Sequence, residues 1–213
     1  MLTSKITRRH LERFLTQHQT NKKTLDIGSG GSIYDKFFPN RVMVDIDRAR
    51  KPDVVADAHD LPFNDSTFEV VLCTEALAYM REPRRAIAEM NRVLVPHGKL
   101  ILSTRFMFPF CDSRNDYWRF TQYGLRELLS EWEILEIIPE TTNFETLAVI
   151  LQRMVYQSSF FLDKIIKLSL LIIARTLPMA NKLIRKQYGD ILKSFDEEAI
   201  MASGYFLVAR NKK

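Results

Sequence analysis

The chain has 213 residues, 46% of them hydrophobic, with seven glycines and eight prolines, enough apolar material for one full core and too regular for disorder. Two cysteines, Cys73 and Cys111, make neither a disulfide framework nor a metal cluster, so a reducing compartment and no metal are expected. The net charge of +5 is unevenly placed: residues 151–193 hold eight basic and two acidic side chains, a net +6, which leaves −1 for the remainder.

The charged opening M-L-T-S-K-I-T-R-R-H lacks the apolar core of an export signal, and no run approaches the ~18 apolar residues of a span. A cytoplasmic location is therefore expected. Ile6, His10, Leu11, Phe14 and Leu15 share one helical face, which predicts an amphipathic helix over residues 1–20. His10 and His18 are read as structural or solvated.

The segment T-L-D-I-G-S-G-G-S (residues 24–32) follows. It reads as a buried strand breaking into a glycine turn, where bare backbone lets a ligand approach. Residues 33–38 predict a short helical piece stopped by Pro39. Strand two, R-V-M-V-D-I-D, ends in Asp45 and Asp47, and Asp45 lies 17 residues beyond Gly28, near where open α/β sheets place a ribose-binding acid.

Strand three is D-V-V-A-D-A, with Asp57 just past its apolar core. Strand four, F-E-V-V-L-C, is an apolar run suited to burial on both faces of a parallel sheet. A helix is predicted from Pro83, with Ala86, Ile87, Met90, Val93 and Leu94 inward. P-H-G reads as a turn and K-L-I-L-S-T-R-F as strand five. Strands alternating with helical stretches imply a parallel sheet with right-handed crossovers.

Residues 106–123 form an aromatic-rich loop, and Thr121 caps a helix running through Leu129. W-E-I-L-E-I-I-P is strand six. About sixty residues of mostly helical pattern separate it from the last strand, S-G-Y-F-L-V-A-R.

L-D-I-G-S-G-G-S, V-D-I-D, V-A-D-A-H-D-L-P-F-N-D-S-T-F-E-V-V-L-C and R-V-L-V-P-H-G-K-L-I-L-S-T, in that order, resemble the class I S-adenosylmethionine-dependent methyltransferases. The group with D-Y-W-R-F-T before the penultimate helix, a small bacterial type, is most similar. The likeness covers roughly residues 24–139 and the final strand. It implies an α/β, Rossmann-like, mostly parallel seven-stranded sheet with an antiparallel last strand. A helical insertion precedes that strand. The whole chain, 1–213, would be one methyltransferase domain, with a basic insertion or lid over residues 144–200.

The resemblance also implies roles. Asp26, Gly28 and Gly30 would lie under the methionine half of S-adenosyl-L-methionine. Asp45 would accept both ribose hydroxyls as charge-assisted bonds. Asp57 would accept the adenine amine, with the Ala58 N–H beside the ring, and Cys73, Thr74 and Glu75 would line the methionine side. Three positions depart from the pattern: His97 replaces a glycine, while Tyr79 and Cys111 stand where histidines are usual, which removes candidate bases.

Methyl transfer from a sulfonium is an in-line displacement, and alignment alone can supply effective molarities of roughly 10⁵ M or more. A hydroxyl acceptor would also need a base. The candidates are Asp116, Tyr117 and Arg119 in the aromatic loop, with Tyr79 and Glu75 facing them. Ordinary packing competes for the loop aromatics, a turn cap for Asp116, and a surface-loop role for His59.

Residues 160–193 suit either a helix in an anionic membrane interface or a lid packed on the sheet domain. Nucleic acid is disfavoured, because no arginine–aromatic interleaving occurs. By analogy with the D-Y-W-R-F-T group, a sugar or lipid-linked glycan is the expected acceptor, within polysaccharide biosynthesis. The alternatives are a small-metabolite methyltransferase, a nicotinamide-dependent dehydrogenase, which the broken G-x-G-x-x-G disfavours, and a non-catalytic module that binds the cofactor.

Overall fold

The computed structural model describes residues 5–30, 34–111, 114–197 and 199–213. Seven strands form one sheet in the order β3-β2-β1-β4-β5-β7-β6. They are β1 (Thr24–Ile27), β2 (Arg41–Asp45), β3 (Val54–Val55), β4 (Phe68–Thr74), β5 (Leu94–Arg105), β6 (Glu133–Pro139) and β7 (Gly204–Arg210). Strands β1 to β5 pair in parallel, and β7 runs antiparallel between β5 and β6. This is the Rossmann-like arrangement expected, with its antiparallel last strand.

Alternation along the central strands builds two cores. Val71, Cys73, Leu100, Leu102, Leu207 and Ala209 face helices α2 (Pro83–Val93) and α3 (Gln122–Leu128). Their neighbours Val70, Leu72, Ile101, Phe206 and Val208 face α1 (Ile6–Gln17) on the other side. Strands buried on both faces must be apolar throughout, which is why β4 and β7 read so clearly. Phe14 of α1 stacks on Phe206 at 4.7 Å between ring centroids. Thr121 caps α3 by accepting the Gly124 N–H at 3.0 Å.

Three local expectations are corrected. Tyr34–Phe38 form a turn closed on the Tyr34 carbonyl and not a helix; Gly31, Ser32 and Ile33 lie outside the described residues. Tyr34, Phe37 and Phe38 all reach the α1-side core, and a turn lets three bulky rings converge there. The β2–β3 and β3–β4 connections contain no α-helix among the described residues, so helical crossovers belong to the β4–β5–β6 half. P-H-G lies inside β5, within a register break between the pairs Phe68–Leu94 and Val70–Lys99, with His97 at φ +59°.

Between β6 and β7 lie α4 (Asn143–Gln157), α5 (Asp163–Thr176) and a 3₁₀ segment (Leu177–Leu183). Leu162, in the left-handed region at φ 56°, turns the chain sharply between α4 and α5. The expected helical character stops at Leu183; the described residues after it are irregular apart from one bridge between Tyr188 and Asp196. Among the described residues no helix is long and apolar enough to cross a membrane.

Candidate functional site

The order β3-β2-β1-β4-β5 puts a topological switch between β1 and β4, the place where open α/β sheets bind ligands outside the carboxyl ends of their strands. Beyond β1, Gly28 and Gly30 both take positive φ, at 67° and 55°. Their bare backbones serve different ends. A Cβ on Gly28 would lie 2.4 Å from the Ala76 Cβ, so the missing side chain admits the β4 exit and not a ligand. At Gly30 the nearest atom among the described residues would be the Gly28 carbonyl oxygen at 3.9 Å, so no described side chain crowds its bare face.

Asp45 ends β2. One carboxylate oxygen accepts the Gly30 N–H at 3.0 Å and the other the Asp47 N–H at 2.9 Å, which ties the glycine turn to the β2 tip. Each oxygen has two lone pairs, so this carboxylate retains capacity for a diol. The Ala56 N–H donates to the Asp45 carbonyl at 3.2 Å, which sets Asp57 and Ala58 just beyond the neighbouring tip. Asp57 is exposed and accepts from the His59 backbone N–H at 3.0 Å and from its ring. Partial burial raises the Asp57 pKa, but the His59 bonds outweigh it and hold the carboxyl below its ordinary range.

His59 Nε2 accepts the Glu82 N–H at 3.2 Å, so Nδ1 carries the proton donated to Asp57. With both nitrogens engaged, His59 serves as a clamp and not as a free base. Arg92 of α2 fixes the following loop, donating to the Leu61 and Phe63 carbonyls at 2.9 and 2.7 Å and to Asp65 and Glu89.

Asp26 lies one residue inside β1, fully buried. Its Oδ2 pairs with Arg41 Nη1 at 2.6 Å, while Oδ1 has no hydrogen-bond partner among the described residues. Burial pushes this carboxyl up to about 7, against the pull of Arg41. Cys73 is buried close by and pushed up to about 12 by the same loss of water, so it is an inert thiol.

At the β4 exit, Thr74 is buried and Glu75 takes φ 61°. The Glu75 N–H donates to the Ser103 carbonyl at 2.9 Å, and Ser103 Oγ donates to its carboxylate at 2.8 Å. Arg105, at the end of β5, pairs with Glu75 on one side and with Glu140 at 2.7 Å on the other. Glu140 is buried and also accepts Ser203 Oγ at 2.6 Å. Arg105 lies over the Phe108 ring at 4.1 Å, and Arg153 lies 4.7 Å from the same ring. None of Arg41, Arg105, Glu140 or Ser203 was singled out in the sequence. Arg105 left one trace, a lone cation ending an apolar strand run.

The aromatic loop is pinned to the same edge. The Tyr117 and Trp118 N–H groups both donate to the Ala78 carbonyl at 3.1 Å, and Trp118 Nε1 donates to Met80 O at 2.9 Å. Arg119 grips both oxygens of Asp116 and the carbonyls of Phe108, Pro109 and Trp118. That pairing with Arg119 holds the Asp116 carboxyl below its ordinary range. Tyr117 OH accepts from Arg81 Nε at 3.0 Å.

Tyr79 sits beside this loop, hydrogen-bonded to Cys111 and near Asp116 and Arg119. Burial, then its hydrogen bond to Cys111, raises its pKa far above the ordinary value, so it stays a phenol. Arg153 of α4 donates to Cys111 Sγ at 3.5 Å, and Gln157 Nε2 donates to Phe110 O at 2.6 Å, so the insertion closes over the loop. Among the described residues no cluster of His, Cys, Asp or Glu could hold a metal ion.

The methyltransferase domain family matches residues 25–102, from β1 to within β5. The match takes in the glycine turn, Asp45, Asp57 and the β4 exit, and it stops before the aromatic loop. A demethylmenaquinone methyltransferase of Renibacterium salmoninarum is 38% identical over 90 residues, 40% of this chain and 36% of that protein. The chain thus spans about a third of that relative's length. A ubiquinone biosynthesis O-methyltransferase of Vibrio atlanticus is 26% identical over 147 residues, covering 60% of this chain and 57% of that one. Among solved structures, the [4+2]-cyclase SpnF superposes over 97% of this chain and 80% of its own, with a TM-score of 0.60 and 17% identity. The chain therefore shares that Rossmann-like fold along nearly its whole length.

Proposed function

We propose that this chain transfers a methyl group from S-adenosyl-L-methionine to a small, ring-bearing apolar acceptor of the quinone type. The carrying observation is the juxtaposition of Asp45 and Asp57 on neighbouring strand tips beside the bare backbone of Gly30. The residues fit the cofactor. Asp45 retains acceptor capacity for the ribose hydroxyls, ionised Asp57 for the adenine amine, and the partnerless Asp26 Oδ1 lies buried beneath the glycine turn. The cofactor supplies an electrophilic methyl on a sulfonium; the chain's part is to hold and align.

The acceptor side supports an apolar ring. Tyr79, Phe108, Tyr117 and Trp118 gather at the same edge, fixed by backbone bonds and cation–π contacts. The groups expected as bases are engaged otherwise: Asp116 by Arg119, Glu75 by Arg105 and Ser103, His59 by Asp57 and Glu82. Asp116 and Arg119 position the aromatic loop, and Tyr79 offers a proton donor. Such a site favours an acceptor that ionises readily on its own, as a reduced quinone ring does. The two curated relatives carry quinones in their names. They lend no support to the sugar or glycan acceptor, or to polysaccharide biosynthesis.

Two assays test this. Titration calorimetry with S-adenosylmethionine and with NAD should show binding of the first alone. Incubation with a labelled methyl donor should label a reduced demethylated naphthoquinone and leave a lipid-linked glycan extract unlabelled. Cofactor binding without labelling of any quinol would overturn the acceptor class; absence of cofactor binding would overturn the reaction.

A further inference from the structure

The helix α5 has two apolar faces, and the structure accounts for one. Ala174 is buried against Ala148 and Val149 of α4 and Ile6 of α1, while Ile166, Leu170 and Leu171 are half-buried. That inner face packs on the rest of the fold. Among the described residues nothing covers the outer face. Ile165, Leu168 and Ile172, at spacings of three and four, are 64%, 51% and 50% exposed, and Phe161 extends the stripe at 88%. Met179 and Leu183 continue it through the 3₁₀ segment, and Ile191 and Leu192 stand almost bare in the following loop. Single exposed apolar side chains are ordinary; a contiguous stripe along a helix marks a contact surface.

Charge identifies the partner. Residues 161–193 carry seven basic and two acidic side chains, and Lys164, Arg175, Lys182, Arg185 and Lys193 are all exposed, Lys164 and Arg175 one turn from Leu168 and Ile172 of the stripe. A second copy of this chain fits poorly, because a two-fold contact along α5 would set Lys164 and Arg175 against like charges. Apolar side chains bordered by lysine and arginine suit a helix lying in the headgroup region of an anionic bilayer.

We infer that the outer face of α5, with the loop through Lys193, docks the protein on an anionic phospholipid surface. The insertion that carries this face also reaches the aromatic loop, through Arg153 to Cys111 and Gln157 to Phe110. Docking therefore bears on the element that holds that loop in place. The inference stands on α5 and not on the reaction.

Co-sedimentation of the full chain with vesicles of phosphatidylglycerol plus phosphatidylcholine, and of phosphatidylcholine alone, tests it. Binding is expected to the anionic vesicles and to weaken with added salt. The triple variant Ile165→Asp, Leu168→Asp, Ile172→Asp should bind at least about tenfold less while keeping the parent's circular dichroism, since these side chains face water. Lys164→Glu with Arg175→Glu, which leaves the apolar stripe intact, should lower anionic binding by a similar factor. Full chain remaining in the supernatant with both vesicle types would overturn the inference. So would a dimer in light scattering that the triple variant abolishes, because it would assign the face to self-association.

Discussion

The β1–β4 tips and the 140–203 insertion share one edge of the sheet and are finished to different degrees. Around the tips, short-range bonds close the structure on itself: Asp45 to Gly30 and Asp47, Asp57 to His59, Arg92 to the 61–65 loop. The insertion instead leaves a row of large aliphatic side chains in water. A cofactor of fixed shape is met by a site built in advance, with little ordering left to do on binding. The outer surface of the insertion needs something to cover it. Arg105 joins the two regions, held between Glu75 of the first and Glu140 of the second.

Substituting that joint should have the largest effect. Arg105→Met leaves Glu140 buried without its cation, and the loss in urea unfolding should be about 3–5 kcal/mol. A loss under about 1 kcal/mol would mean the two regions are not joined through this residue. Gly28→Val comes next, because it combines φ 67° with a Cβ 2.4 Å from Ala76. Thermal unfolding should register a cost of roughly 2–3 kcal/mol, and calorimetry a loss of cofactor affinity greater than about tenfold.

Asp26 sharpens the contrast through pH. Burial raises its folded-state pKa from 3.8 to about 7, so between those values the folded chain binds a proton that the unfolded chain releases. Its stabilising contribution is full below about pH 4 and is lost as pH climbs through 7, at up to about 1.4 kcal/mol per pH unit. Urea midpoints measured across that window should fall with pH in the parent and flatten in Asp26→Asn.

Asp45→Ala should touch function more than fold. Affinity for S-adenosylmethionine should drop about 10- to 100-fold, one or two charge-assisted bonds' worth, with the thermal midpoint nearly unchanged. Unaltered affinity would place the ribose elsewhere. The smallest effect is expected from Thr121→Ala, which removes the α3 cap behind the aromatic loop and should cost about 1 kcal/mol in thermal unfolding.

Much of the sheet was readable because burial on two faces forces apolar runs. Strands β1, β4 and β7 and helix α2 lie within a residue or two of where pattern put them. Asp45 and Asp57 were readable too, since a polar residue ending such a run marks a strand tip. The Thr121 cap follows from local geometry alone. The Tyr34–Phe38 turn was not readable, because its aromatic spacing serves a helix equally well.

Local sequence fixes which residues are apolar, where strands stop and which turns need glycine, since these follow from sterics and solvation over a few residues. It cannot say which distant group meets which. Asp26 with Arg41, Arg105 with Glu140 and Ser203, and the split of α5 into an inner and an outer face all depend on chain segments brought together by folding. Coulomb and packing energies act over a few ångströms in space, whatever the separation along the chain.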